Sequence, residues 1–363
     1  MPAESARRIH VVEPTLEDYA GHCYDLVRSL CDGAAGRAVT VWSGKRAARL
    51  DFDPRVSLQP CFSRRWRIPQ LFWLFRRLLA GDEPVVLTTA RRVDLTLAGL
   101  AARGPLPPGR LYLYFHWYRE SPRRVSFLRK MAATQPGITI LATTERVADT
   151  FRRAGFRRVV WLPYPLTARP PANIPAAQGF RHLLYAGAAR QEKGFGRIVD
   201  LVERLHAERE NLPVTVQASA EHYGKYEDRT RADIRCLERT GYGALTVLRE
   251  TLRPADYADM FRGAICIQPY DPGEFRDRVS GVTLDALAYG SPVIVPANTW
   301  MARVIEPHDA GMAVPALDAG SMLAAARRIL TDYDRYHRNA LAGGIEQRKR
   351  SWKPLLELID RST

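Results

Sequence analysis

Residues 277–296 read DRVSGVTLDALAYGSPVIVP, and this segment carries more information about the chain than any other of its length. It opens with a polar loop and a Ser-Gly turn, after which a short helical pattern runs to a Gly-Ser-Pro stop. The apolar, β-branched run at 293–296 then predicts a buried strand. Because helices that alternate with buried strands build parallel sheets, the stretch indicates an α/β protein.

The same stretch predicts a binding site at the start of its helix. A helix N-terminus offers free N–H groups and the positive end of a dipole, so Ser280 and Gly281 are placed to hold a phosphate. Asp285, just over one turn further on, is placed to accept hydrogen bonds from sugar hydroxyls, and Asp277 lies eight residues before it. This combination of groups is typical of a site for a nucleotide sugar.

Strands and helices alternate in both halves of the chain. The strand-like runs of the first half are RIHVVEP, AVTVWSG, PVVLTT, RLYLYFHW and GITILATT, and those of the second are HLLYAG, PVTVQAS, LTVLRE, AICIQPY and PVIVPA. Between them, residues 159–180 are crowded with proline, and 166–180 predicts a linker. We therefore expect two Rossmann-like domains, over 1–165 and 181–345, which bind ligands in a cleft at the carboxyl ends of their strands.

Composition indicates a globular protein of a reducing compartment. The N-terminal sequence MPAESARRIHVVEP lacks the apolar core of a signal peptide, and no run approaches the roughly 18 apolar residues of a spanning helix. The five cysteines are scattered without CxxC pairs, which argues against a disulfide framework or a zinc site. We therefore expect a cytoplasmic protein.

The net charge of +15 is concentrated in the first half of the chain. Residues 1–180 carry 28 basic and 14 acidic side chains, whereas residues 181–363 carry 26 and 25. This asymmetry favours an anionic partner for the first half, either a membrane surface or an acidic ligand. A general bias toward arginine is the alternative, since only six of the 54 basic residues are lysine. No recognised nucleic-acid-binding module is evident, so we expect no nucleic-acid partner.

A second motif lies at 182–205, which reads HLLYAGAARQEKGFGRIVDLVERL. A predicted strand ends at Gly187, and the loop that follows leads into an amphipathic helix. Lys193, in that loop, would stand at the carboxyl end of the strand, where an ammonium group can neutralise a diphosphate. The alternative is a solvated loop lysine, which the second site at 277–285 makes less favourable.

These two motifs resemble those of GT-B glycosyltransferases, particularly the large retaining family 4. Members carry a Gly-Arg-x-x-x-Glu-Lys-Gly loop and a Glu-x7-Glu motif followed by Ala-x-x-x-Gly-x-Pro-Val-Ile. The counterparts here are GAARQEKG at 187–194, DRVSGVTLD at 277–285 and ALAYGSPVI at 286–294. The resemblance implies a GT-B fold of two Rossmann-like domains facing across a cleft, with the acceptor in the first and the donor in the second. It also implies that a final helix over 346–363 crosses back to the N-terminal domain.

The resemblance assigns roles to several residues of the second half. It implies that the loop beginning at Gly187 lies beside the donor and that Asp285 contacts the ribose of the nucleotide. The backbone amides of Ser280, Gly281 and Val282 would bind the diphosphate.

Three departures from the family pattern change these assignments. Ala188 stands where the family has arginine, and Arg190 could replace it because an Arg side chain reaches phosphate from a neighbouring position. Both motif glutamates are aspartates here, so either Asp277 or the longer Glu274 would approach the transferred sugar. Arg278 replaces part of a Gly-Phe-Gly segment and is either an additional phosphate ligand or an exposed loop arginine.

The first half contributes two histidines and a glycine. Gly21 and His22 open a helix, and GT-B enzymes often place such a loop near the diphosphate and the acceptor. Some inverting members have a catalytic-base histidine there, paired with a carboxylate such as Asp18 or Asp25, although His22 could also have no catalytic task. His116 ends the strand LYLYF, where retaining members often contact the donor sugar, and the alternative is a ring satisfied by backbone or by Tyr118.

Residues 61–84, CFSRRWRIPQLFWLFRRLLAGDEP, combine aromatic and basic side chains. On a helix, one face would carry Leu71, Phe72, Phe75, Leu78 and Leu79, with arginines beside it. That composition is typical of an interfacial membrane helix, and the alternative is a helix packed on its own sheet. We therefore expect an anionic membrane surface to bind residues 61–80, which places the protein on the inner face of the plasma membrane.

The sequence as a whole predicts a glycosyltransferase that uses a UDP- or GDP-linked sugar and a glycan or lipid-linked acceptor in bacterial cell-surface polysaccharide or glycolipid synthesis. By resemblance it would retain the anomeric configuration. It would need neither metal nor cofactor, since lysine, arginine and helix amides can neutralise the leaving diphosphate. The rivals are an inverting enzyme with His22 as base, a nucleotide-sugar epimerase, and a non-catalytic basic protein that binds membrane or nucleic acid.

Overall fold

A computed structural model describes the protein over residues 8–19, 22–34, 36–165, 179–218, 226–250 and 252–362. The chain divides into two units, the first formed by residues 1–167 with 350–363 and the second by residues 168–349. Each unit contains its own parallel sheet with helices alongside it.

The strands of the first unit are β1 (Ile9–Glu13), β2 (Val39–Gly44), β3 (Val56–Phe62), β4 (Val85–Leu87), β5 (Leu111–Phe115), β6 (Thr139–Ala142) and β7 (Val159–Trp161). Those of the second are β8 (His182–Tyr185), β9 (Val214–Gln217), β10 (Leu245–Leu248), β11 (Ala264–Ile267), β12 (Val293–Pro296) and β13 (Gly311–Val314). The first sheet has the order β3-β2-β1-β4-β5-β6-β7 and the second β10-β9-β8-β11-β12-β13. The predicted α/β class with two Rossmann-like domains is confirmed.

The first unit contains helices α1 (His22–Gly33), α2 (Arg67–Leu78), α3 (Arg92–Ala101), α4 (Pro122–Thr134) and α5 (Glu145–Arg153). The second contains α6 (Phe195–Ala207), α7 (Asp228–Arg239), α8 (Pro254–Asp259), α9 (Pro272–Phe275), α10 (Gly281–Ala288), α11 (Trp300–Ile305), α12 (Ala319–Leu330) and α13 (Tyr333–Arg348). Helix α14 (Lys353–Arg361) follows, and short 3-10 turns occupy Lys45–Arg49, Gln191–Lys193 and Glu306–His308.

Each sheet has a switch point where the strand order reverses, and its position determines where a ligand can bind. The reversal falls between β1 and β4 in the first sheet and between β8 and β11 in the second. In both, the connections leave the two central strands in opposite directions, which opens a crevice at their carboxyl ends. The central strands are buried on both faces, as the continuous apolar runs predict.

Three strands of the structure have no counterpart among the predicted ones. Strand β3 lies at an edge of its sheet, the position where a proline such as Pro60 is tolerated, and several of its side chains are exposed. Strand β7 begins the proline-rich stretch, so residues 159–161 belong to the first sheet and not to a linker. Strand β13 is the third. Most of the linker predicted at 166–180 lies outside the described residues.

Helix α14 packs on the first unit, although it follows the second unit in the chain. Its Leu355 and Ile359 are buried, and the indole Nε1 of Trp352 donates a hydrogen bond of 2.8 Å to Ser29 Oγ. Arg37 forms an ion pair of 2.6 Å with Asp360. The chain therefore contributes to the first unit both before and after it builds the second.

The predicted apolar face of α2 is turned toward the core of the first unit. Leu71, Phe75 and Leu78 are buried there, and Phe72 and Leu79 pack against them. The expectation that this face meets a membrane is therefore wrong, because its apolar surface is already removed from water by the protein itself. Among the described residues, no helix is both long enough and apolar enough to cross a bilayer.

Candidate functional site

The loops that follow β8 and β11 meet at the switch point of the second sheet. The Asp271 amide donates a hydrogen bond of 2.9 Å to the Glu192 carbonyl, and Arg197 Nη1 donates one of 2.9 Å to the Pro269 carbonyl. Gly194 has a φ of +69°, and a Cβ added to it would lie 1.9 Å from the Pro269 oxygen. The glycine therefore permits a close approach that no other residue could make.

The N-terminus of α10 is fixed beside these loops. Ser280 caps the helix by accepting a hydrogen bond of 3.3 Å from the Thr283 amide. The fully buried Gln268, just beyond β11, accepts 2.6 Å from Thr283 Oγ1 and 3.4 Å from Ser280 Oγ. Because the first amides of a helix have no intrahelical partner, the amides of Gly281 and Val282 present N–H groups at the switch point.

The switch point of the second sheet also brings together Gly187, Lys193 and Val282. The Gly187 backbone has a φ of +101°, and its N–H donates a hydrogen bond of 2.6 Å to Oε1 of the buried Gln217. A Cβ added to Gly187 would lie 3.2 Å from Lys193 Nζ and 3.5 Å from Val282 Cγ2. The structure therefore brings the lysine of one predicted motif to the helix terminus of the other.

The Lys193 ammonium lies in a positively charged environment. It stands 5.4 Å from the centroid of the Tyr270 ring. Burial of the ammonium, with repulsion from Arg190 and Arg278, lowers the Lys193 pKa to about 7, although Glu192 opposes the shift. Three cations gathered beside the carboxylates of Glu192 and Glu274 form a site that an anion would stabilise.

The two arginines are held by different contacts. Arg190 forms an ion pair of 3.1 Å with Glu192, while its buried Nε has no hydrogen-bond partner among the described residues. Arg278 lies over the Phe275 ring at 4.8 Å, and burial lowers its pKa. Arg278 is therefore not the freely exposed loop arginine that was the alternative.

Asp285 is half-buried on α10 and is oriented by a tyrosine that the sequence did not single out. Tyr257 on α8 donates a hydrogen bond of 2.8 Å to Asp285 Oδ2. Burial and the neighbouring carboxylate raise the pKa of Tyr257 well above its usual value, so its hydroxyl stays a donor.

The two candidates for the first carboxylate differ in their surroundings. Asp277 Oδ1 lies 3.1 Å from Arg303 Nη2, and the same nitrogen donates 2.9 Å to the Arg276 carbonyl. Glu274 lies on α9, which Asp271 caps, and its charge opposes the lowering of the Arg278 pKa. The Glu274 charge thus acts on Arg278, whereas Asp277 is paired with Arg303 on α11.

In the first unit, His116 follows β5 at the carboxyl edge of the sheet. Its Nε2 lies 2.8 Å from the Thr88 carbonyl, which can only accept, so this nitrogen carries the proton. The ring meets Tyr114 and Tyr164 edge to face at 4.9 and 5.3 Å. The Thr88 carbonyl therefore holds the His116 ring, and this contact sets its tautomer.

Glu13 is a further polar residue at this edge that the sequence interpretation missed. It ends β1, is fully buried, and accepts hydrogen bonds of 2.7 Å from the hydroxyls of Thr88 and Thr89 and of 3.1 Å from the Thr15 amide. Gly21 lies outside the described residues, and His22 begins α1 with its side chain outside them.

Comparison with solved structures places this architecture among known folds. The chain is similar to sucrose-phosphate synthase from Thermosynechococcus elongatus, with a TM-score of 0.71, 16% identity and 98% of each chain covered. It is similar to Anabaena HepE, solved with UDP and glucose, with a TM-score of 0.65, 14% identity, and 98% of this chain and 99% of that chain covered. It is also similar to WaaG, a glycosyltransferase involved in lipopolysaccharide biosynthesis, with a TM-score of 0.63, 15% identity and 98% of each chain covered.

These likenesses define the fold. The chain has the GT-B fold, with two Rossmann-like units of parallel sheet. No family model matches the sequence, and no curated protein matches it. The identities of 14–16% are too low to carry activity from these neighbours to this chain.

Proposed function

We propose that the protein is a glycosyltransferase that moves a sugar, such as a hexose, from a UDP- or GDP-linked donor to a glycan or lipid-linked acceptor. The observation that carries the proposal is the convergence of Lys193, Arg190 and Arg278 on the N-terminus of α10 at a switch point. Cations and helix amides in this arrangement stabilise the negative charge that develops on a departing diphosphate. HepE, which shares the fold, was solved with UDP and with UDP-glucose.

The remaining groups have roles around that diphosphate. Asp285, oriented by Tyr257, would accept hydrogen bonds from the ribose, and Glu274 is the better candidate for the transferred sugar because Asp277 is paired with Arg303. In the first unit, His116 is held by the Thr88 carbonyl and is the proposed catalytic histidine. We favour retention of the anomeric configuration, and inversion with His22 as base is the mechanistic rival.

Nucleotide binding provides the first test of this function. A thermal-shift screen with UDP, GDP and ADP should show stabilisation by one of them, by about 2.7 kcal/mol at a hundredfold excess over Kd. Failure of all three to stabilise the protein would refute the proposal. Once the donor is known, the anomeric signal of the product by NMR separates retention from inversion, and conversion of donor without acceptor would identify an epimerase.

The affinity for the nucleotide diphosphate should fall as the pH rises above 7. Lys193 loses its proton near that pH in the unliganded protein, whereas the diphosphate favours the charged ammonium. Binding must therefore take up a proton above pH 7, and the apparent affinity should drop by about tenfold per pH unit. Calorimetry in buffers of different ionisation enthalpy measures this uptake.

A Lys193→Arg variant is the control for this effect. Its guanidinium remains charged over the whole range, so its affinity should change little between pH 7 and 9. An equally steep decline in wild type and variant would mean that a different group titrates.

We propose that the protein binds anionic membranes through the outer face of α2. Trp66 and Trp73, seven residues apart and so on one side of the helix, are 60% and 66% exposed. Arg64, Arg65 and Arg76 are exposed around them. Exposed tryptophan with arginine suits the interface of an anionic bilayer, where apolar burial and charge attraction add together.

Replacing both tryptophans by serine should weaken co-sedimentation with anionic vesicles at low salt by about tenfold or more. The matched control is Trp161→Ser, since Trp161 is 48% exposed on β7 at the opposite edge of the same sheet. Equal losses in the two proteins, or no binding by the wild type, would contradict a membrane role for α2.

A further inference from the structure

Three successive helices of the first unit begin with arginine. Arg67 is the first residue of α2, Arg91 and Arg92 stand at the start of α3, and Arg123 and Arg124 lie in the first turn of α4. Because the N-terminus of a helix is the positive end of its dipole, an acidic residue is favourable there and a cation is not. Neither α2 nor α4 has an acidic residue in its first turn, whereas α5 has the usual acid at its start and arginines at its end. The arginines of α2 and α4 therefore do not stabilise the helices that they begin.

The three helix starts lie together at the carboxyl edge of the first sheet. A helix that follows a strand of a parallel sheet begins at that edge, and α3 packs against both α2 and α4. The edge includes the switch point between β1 and β4, where an α/β sheet binds its ligand. His116, which follows β5, belongs to the same edge. The arginines therefore stand where a ligand of the first unit is expected.

The charges of these arginines act on one another and on common neighbours. Burial lowers the pKa of Arg67, and the charge of Arg91 lowers it further, so these two guanidinium groups are close together. Burial raises the pKa of Tyr118, and both Arg124 and Arg92 oppose the shift, so these two arginines lie near one hydroxyl group. Since Arg91 and Arg92 are consecutive, the arginines form one group that extends from α2 through α3 to α4.

The group has few counter-charges. Asp94 is the only described carboxylate within 4.0 Å of any of its members, and Arg91 occupies both Asp94 oxygens through contacts of 3.1 Å. Glu13 and Glu17 act on Arg67 from a greater distance, and Glu13 is fully buried. Apart from Arg91, the arginines of the group therefore have no ion pair within the described part of the chain.

The unpaired arginines are accessible to a ligand. Arg92 and Arg123 are exposed, and Arg67 and Arg124 are half-buried. Glu120, just before α4, does not neutralise them, because it pairs with an arginine of α5 at 2.7 Å. A guanidinium group matches a phosphate or a carboxylate with two parallel hydrogen bonds. An anionic group at this edge would therefore gain hydrogen bonds and reduce the repulsion among the arginines.

We propose that the first unit binds its acceptor through an anionic group, a phosphate or a carboxylate, which is held by Arg67, Arg92 and Arg124. The inference rests on the proposed function, since it names the class of acceptor for the same transfer reaction. A neutral glycan would leave these arginines without a counter-charge, so an acidic or phosphorylated sugar is the substrate class that fits. The membrane surface proposed for α2 uses different side chains, Trp66 and Trp73.

The test is isothermal titration of the full-length Lys193→Met protein with glucose 6-phosphate, glucuronate and glucose. The Lys193 ammonium is removed so that the nucleotide site contributes little to phosphate binding. We expect glucose 6-phosphate, glucuronate or both to bind and glucose not to bind, and the tighter of the two anions identifies the group. Replacing Arg92 by glutamine should weaken that binding by about tenfold, and replacing Arg67 as well should weaken it further.

Arg103→Gln is the matched control. It removes the same charge from an exposed arginine just beyond the other end of α3, away from the carboxyl edge, and should leave binding unchanged. At low salt, Arg67→Gln and Arg92→Gln should melt at the same temperature as this control or higher, because each removes a cation from a helix N-terminus. A structural role for the arginines would instead lower the melting temperature.

Three results would overturn the proposal. They are binding of neither anion, binding that is indifferent to Arg67 and Arg92, and lost binding in variants that melt clearly below the Arg103→Gln control. Nucleotide binding is measured separately on the wild-type protein. Stabilisation by a nucleotide without anion binding would therefore refute this inference alone, and anion binding without nucleotide stabilisation would refute the transferase function alone.

Discussion

Replacement of Lys193 by methionine should lower kcat/KM for sugar transfer by about 10²- to 10³-fold. Methionine keeps most of the length and apolar bulk of the side chain, so the loop between β8 and α6 should remain folded. What is lost is the ammonium beside Gly187 and the N-terminus of α10, where the leaving diphosphate gathers charge. The release of nucleoside diphosphate, followed as an initial rate, measures the effect.

Lys349→Met is the matched control. This lysine also belongs to the second unit, but it is exposed and paired with Glu346 at 2.5 Å. Its loss should leave transfer within a factor of about two, since exposed ion pairs contribute little. A Lys193→Met enzyme as active as this control would show that the diphosphate leaves without help from Lys193.

Replacement of Gly194 by alanine should destabilise the second unit by about 3 kcal/mol or more. An alanine at a φ of +69° costs about 1 kcal/mol, and its Cβ would stand 1.9 Å from the Pro269 carbonyl oxygen. The main chain after β11 must then move, which also breaks the bond from Arg197 to that carbonyl. Calorimetry should show the transition of this unit lowered by roughly 6–12 °C.

Gly243→Ala provides the comparison for this change. A Cβ added at Gly243 meets nothing within 4 Å, and its stability should stay within about 0.5 kcal/mol of wild type. If the two variants melted together, the close contact between the loops would not contribute to the stability of the protein.

Much of the candidate site could be predicted from sequence because its signals are local. Ser280 caps α10 as a Ser-Gly turn before a helix indicates, and the glycines at 187 and 194 mark positions where the backbone has a positive φ. Lys193 lies in the loop that contains both glycines. This loop follows the carboxyl end of β8, and the sequence therefore predicted that Lys193 would lie near α10. These features depend on a few neighbouring residues and on the rule for strand ends.

The residues that support the site were missed because they act through space. Gln217, Gln268 and Glu13 each come at the carboxyl end of an apolar strand and are buried, and each accepts hydrogen bonds from a different segment. A polar residue that directly follows such a run is a signal that could have found all three. Tyr257 has no comparable signal, since only the fold brings α8 beside α10.

Helix α2 shows the limit of amphipathic patterns. Its apolar stripe has a composition found both in membrane-binding helices and in core helices, because burial in protein and burial in lipid favour the same side chains. The structure separates the two, since Leu71 and Phe75 are buried in the core while Trp66 and Trp73 remain exposed.

The packing of α14 on the first unit determines which of the two units is completed last during synthesis. During synthesis the ribosome releases the second unit, residues 168–349, before Trp352, Leu355 and Ile359 have emerged to complete the core of the first. Until these residues emerge, the surface for α14 stays uncovered beside Ser29, and the core of the first unit is incomplete. Translation thus finishes the proposed donor-binding half first and closes the other half last.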